Sequence, residues 1–73
     1  MWLRSQNNKL LINASVFSVE GSKILVRIDG AAGGSSIVGI YETPERAMEV
    51  LEDIQYEIMH YTIKDNVYRM PEK

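Results

Sequence analysis

The chain has 73 residues, 45% of them hydrophobic and 25% charged, and a net charge of −2. That length fits a single domain over 1–73, and the apolar content is that of a folded chain rather than a disordered one. With no cysteine and one histidine, the chain can form no disulfide, no thiolate zinc site and no multi-histidine metal centre of its own.

A domain this small buries only about 60% of the surface of its unfolded chain. Disulfides, thiolate zinc sites and multi-histidine metal sites are absent from its repertoire, so a homo-oligomer is the expected source of added stability. No apolar run approaches the ~20 residues of a membrane span. The opening Met1-Trp2-Leu3-Arg4 lacks the apolar stretch of a secretory leader. A cytoplasmic location and no membrane partner are therefore expected. The acidic balance disfavours nucleic-acid binding. Charge is unevenly spread: residues 1–41 hold four basic and two acidic side chains, residues 42–73 four basic and eight acidic.

Residues 2–5 read as a short strand. Gln6-Asn7-Asn8-Lys9 reads as a turn, because Asn tolerates left-handed backbone. Residues 9–19 read as one longer strand, with Leu10, Ile12, Ala14 and Val16 on one face and Leu11, Phe17 and Val19 on the other. Apolar residues on both faces imply burial on two sides, or a bulge that switches faces near Ala14-Ser15. Glu20-Gly21-Ser22 reads as a tight turn. Residues 23–29 alternate cleanly, with Ile24, Val26 and Ile28 inward and Lys23, Arg27 and Asp29 toward water. The stretch 30–36 has only small side chains and reads as a loop. Residues 37–41 form the next candidate strand, in which Gly39 marks a bulge or a close approach.

Thr43-Pro44-Glu45 is a helix start: threonine caps, proline fits the first helical position, and glutamate suits the positive end of the dipole. Ala47, Val50, Leu51, Ile54, Ile58 and Tyr61 recur at helical spacing, which predicts a helix to about His60. A turn at Lys64-Asp65-Asn66 and a last edge strand over 67–70 follow, stopped by Pro71. The expected fold is α+β: an antiparallel sheet of four to five strands with one amphipathic helix on one face.

Catalytic constellations are lacking. The loop 30–36 fits neither phosphate-binding glycine pattern, for no Lys-Ser/Thr and no helix follows it. His60 reads as a helix end-cap without a nucleophile beside it. The acidic helix residues read as a solvated face, not a buried acid–base pair. The chain is therefore read as a non-enzyme with no cofactor and no metal. If the terminal strands pair, Trp2, Arg4, Tyr68 and Arg69 cluster as a candidate binding site. Arginine beside aromatics anchors protein interfaces, and also holds phosphate by charge and a flat base by stacking.

Three motifs carry a resemblance: Trp-x-Arg-Ser-Gln at 2–6, Gly-x-Tyr-x-Thr-x-Glu-x-Ala at 39–47 with Val-Leu-x-x-Ile at 50–54, and Val-Tyr-x-Met-Pro at 67–71. Together they resemble a group of short proteins from low-GC Gram-positive bacteria and their phages. The likeness does not extend to residues 13–36 and carries over no functional residue. It implies a bacterial or prophage setting, in which a small non-catalytic protein binds a host protein or sequesters a nucleotide. The first expectation is thus a protein-interaction module. The alternative is a binder of a nucleotide-like anion that acts as an oligomer.

Overall fold

A computed structural model describes residues 1–27, 34–60 and 66–73. The fold is α+β. In chain order it contains β1 (Trp2–Arg4), β2 (Leu11–Asn13), β3 (Val16–Glu20), β4 (Lys23–Arg27), β5 (Ser35–Ile40), α1 (Pro44–His60) and β6 (Val67–Arg69). The strands form two three-stranded sheets, ordered β2-β1-β6 and β3-β4-β5. The first pairs β1 antiparallel to β2 and parallel to β6, while the second is an antiparallel meander.

The strand count therefore exceeds the expected four to five, and one expected strand is really two. The run 9–19 breaks at Ala14-Ser15, with β2 in one sheet and β3 in the other. Apolar residues lie on both of its faces because the inward face changes at the break: Ile12 and Ala14 are buried before it, Phe17 and Val19 pack on the core after it. Leu10 and Val16 are exposed.

Each of the two hairpin turns within the described residues has its local cause. At the β1–β2 turn Asn8 takes a φ of +64°. The buried Ser5 hydroxyl donates to Asn7 Oδ1 at 2.7 Å and accepts from the Leu10 N–H at 3.1 Å. At the β3–β4 turn Gly21 has a φ of +59°, a conformation glycine adopts at no steric cost.

In β5 the extra residue is Val38, since Ile24 pairs with Gly39 and Leu25 with Ile37. The bulge rotates the strand, so Val38 and Gly39 are both buried and Ile40 faces out, away from Val38. Gly39 marks a close approach as well: a Cβ there would lie 2.9 Å from the Tyr41 ring and 3.0 Å from Met70 Cε.

Helix α1 begins as its sequence dictates, with the Thr43 hydroxyl accepting the Arg46 N–H at 3.1 Å. It packs on β3 and β4 through Ala47, Val50 and Ile54. Ile58 was expected on this stripe but is 46% exposed, because the last turn and a half of the helix carries only exposed or half-buried residues. Tyr61, Ile28, Asp29, the turn residues Lys64 and Asp65, and positions 30–33 of the small-residue loop lie outside the described residues.

A single core joins everything: Leu3, Ile12 and Tyr68 from one sheet, Ile24, Val26 and Val38 from the other, and the helix stripe. Each fully buried Leu, Ile or Val here contributes about 1.5–3 kcal/mol. The polar joint between the sheets is Gln6. Its N–H donates to the Val38 carbonyl at 2.8 Å. Its side-chain Oε1 accepts the Ile40 N–H at 2.8 Å, and Nε2 donates to the carbonyls of Ile40 at 3.0 Å and Glu72 at 2.7 Å. The carboxamide thus acts as one more peptide unit alongside β5.

Gln6→Ala removes three side-chain hydrogen bonds to main-chain groups. It should lower stability by about 1–2 kcal/mol, read as a lower urea midpoint at unchanged slope. An unchanged midpoint would contradict the role of this joint.

Candidate binding face

The register of the β2-β1-β6 sheet decides which side chains meet. Trp2 lies between Asn13 and Val67, and Arg4 between Leu11 and Arg69. Residues alternate between faces, so Trp2, Arg4, Leu11 and Arg69 share one face, while Leu3, Ile12 and Tyr68 share the other. The first face is open: Trp2 is 46% and Leu11 57% exposed, and both arginines are exposed. The second face is core.

The two terminal strands of the expected cluster, β1 and β6, do pair, and they bring Trp2, Arg4 and Arg69 onto one face. Tyr68 is not with them. It sits one residue out of phase, 6% exposed, with its hydroxyl donating to Asp53 Oδ2 at 2.5 Å. That bond ties the sheet to the helix, so Tyr68 is a structural residue of the core.

Arg4 is held in place. Its Nε and Nη2 both donate to the Asn8 carbonyl, at 3.2 and 3.0 Å, which lays the guanidinium along the β1–β2 turn. Arg4 and Arg69 are direct neighbours across a strand pair, with strands about 4.8 Å apart. Like charges placed so oppose sheet formation.

A second polar constellation was missed in sequence. Three side chains hold three successive carbonyls of residues 71–73: Tyr41 Oη donates to Pro71 at 3.0 Å, Gln6 Nε2 to Glu72, and Arg46 Nε to Lys73 at 2.9 Å. The Arg46 guanidinium also lies 5.9 Å from the Tyr41 ring centre, a cation–π distance. A shallow groove of about 560 Å³ beside it is lined by Tyr41, Thr43, Arg46 and Lys73 among others. Nothing in residue spacing signals this clasp, because its members come from a turn, a strand end and a helix.

The remaining candidates stay dispersed. His60 is exposed, its ring 4.2 Å from that of Tyr56. Among the described residues, no three His, Asp or Glu side chains gather to hold a metal ion. No helix among the described residues is long and apolar enough to cross a membrane. Comparison with protein-family models, curated proteins and solved structures gives no match for this chain.

Both buried phenols are pushed above the ordinary tyrosine range. For Tyr68 the causes are burial first, then its hydrogen bond to Asp53 and the nearby negative charge. For Tyr41 burial raises the value, and Arg46 opposes it in part. Both groups are thus held neutral in the fold and ionise more readily once unfolded. Stability should be intact below about pH 10, the unfolded tyrosine value, and fall as the pH rises above it. Tyr68→Phe should flatten that alkaline loss and cost about 0.5–1.5 kcal/mol at neutral pH. Denaturant midpoints at neutral and alkaline pH read both effects. An equally steep alkaline loss in the variant would contradict this account.

Proposed function

We propose that this chain is a small non-catalytic binding protein of a bacterial or prophage cytoplasm, working by protein–protein contact through the outer face of its β2-β1-β6 sheet. One observation carries the reading: Trp2 and Leu11 stand exposed beside Arg4 and Arg69 on a sheet whose opposite face already completes the core. Tryptophan and arginine are the residues that dominate interface energetics, each offering a large contact area and a directed polar group. The partner that fits is a host protein with an acidic patch beside an apolar one.

Capture from a Gram-positive lysate tests this. The wild-type chain should retain a discrete host protein. Trp2→Ala and Arg69→Glu should each weaken retention about tenfold or more, as loss of a central anchor does, with circular dichroism unchanged. Retention of nothing but the bait would refute the reading, as would variants that capture as well as wild type.

A second reading has its own support in the Arg4–Arg69 register. Two guanidinium groups beside an exposed indole can clamp a phosphate and stack a flat base, which is the chemistry of a nucleotide-like anion. Here a panel of nucleotides should raise the unfolding temperature of wild type and leave Arg69→Glu unmoved. No shift with any nucleotide would remove this reading. Nucleic-acid binding is the weakest of the three, given a net charge of −2.

A further inference from the structure

Four strand edges border the two sheets, and three of them carry a device that prevents further pairing. Strand β2 has only three residues. Strand β6 also has three and runs into Pro71. Strand β5 is bulged at Val38, and Gln6 occupies the main-chain groups of Val38 and Ile40. The fourth edge, β3, has none of these. It is five residues long, in unbroken register with β4, and contains no proline and no lysine. Among the described residues no strand lies on its outer side.

We infer that β3 is the dimerisation edge, and that its occupant is β3 of a second copy of this chain, antiparallel about a two-fold axis through Ser18. The sequence Val-Phe-Ser-Val-Glu is complementary to itself in that register. The two small Ser18 hydroxyls meet at the axis, where serine pairs hydrogen-bond. Phe17 and Val19, each only partly buried at the open edge, pair with Val19 and Phe17 of the second copy. The core of each protomer is thereby extended across the edge.

Charge fits as well. Val16 pairs with Arg27 and Glu20 with Lys23 within one chain. The dimer register sets Val16 beside Glu20 of the second copy, so one row across the outer face reads Arg27, Val16, Glu20, Lys23. Each carboxylate keeps its own Lys23 beside it with the other protomer's Arg27 two strands away, and the exposed Val16 gains cover. The product is a six-stranded sheet with β5 at both ends, where bulge and Gln6 stop further growth. An isologous pair of this kind closes on itself. It also supplies the added burial that a chain of this size without disulfides needs.

The surface is separate from the Trp2–Arg69 face, so the two claims fail independently. Light scattering of the full chain should give a dimer at high micromolar concentration. Ser18→Lys, an exposed change that sets like charges against each other at the axis, should raise the dissociation constant about tenfold or more. Arg69→Glu should leave it unchanged. Because the chain has no cysteine, Ser18→Cys should cross-link to a dimer under mild oxidation, far faster than the exposed control Ser35→Cys on β5. The cross-linking comparison decides the matter if Ser18→Lys does not fold. A monomeric wild type would overturn the inference and leave this edge to a strand of another protein. So would a dimer untouched by Ser18→Lys, or equal cross-linking by the two cysteine variants.

Discussion

The structure depends on the joint between two sheets that are each too small to stand alone. A three-stranded sheet with three-residue strands needs a partner layer to hold its shape. Here each sheet is the partner of the other, with α1 closing the core over β3 and β4. Apolar contact supplies most of the free energy of that arrangement, but it is not directional. Gln6 supplies direction: its main chain and carboxamide bind Val38, Ile40 and Glu72, so the β1–β2 turn, the edge of β5 and residues 71–73 share one geometry. Tyr41 and Arg46 reinforce it by holding the carbonyls on either side of Glu72.

This economy leaves surface free for function. The core consumes one face of each sheet, and Tyr68 anchors its strand inward through Asp53. The outer face of β2-β1-β6 lies opposite the core and displays an indole and two neighbouring arginines. The proposed binding role rests on that exposed combination of an apolar ring and two guanidinium groups.

Much of the local structure was legible in the sequence, because it rests on short-range chemistry. Thr43 and Pro44 set the helix start, the alternation through Ile24 and Val26 set β4, Asn8 and Gly21 set turns, and Pro71 closed the last strand. What escaped depends on long-range or parity effects. The run from Lys9 to Val19 looks continuous, and only tertiary packing shows that it serves two sheets. One bulged residue in β5 turned Ile40 outward against simple alternation. The same period of two separates Tyr68 from Arg69: neighbours in sequence, they stand on opposite faces once the strand is paired. Of the candidate cluster, Trp2, Arg4 and Arg69 therefore share one face, while Tyr68 lies on the other. By its sequence Gln6 is a turn residue, since nothing local reveals a side chain that bonds across 34 positions to Ile40.

Residue-resolved native-state hydrogen exchange tests the joint most directly. If the two sheets form one cooperative unit, the amides of Leu3 and Ile12 in one sheet and Ile24 and Val26 in the other will exchange through a single opening with the same free energy. Gln6→Ala will lower all of them together. Two distinct opening energies, with the variant lowering only one sheet, would contradict the account and make the sheets separate units that merely touch.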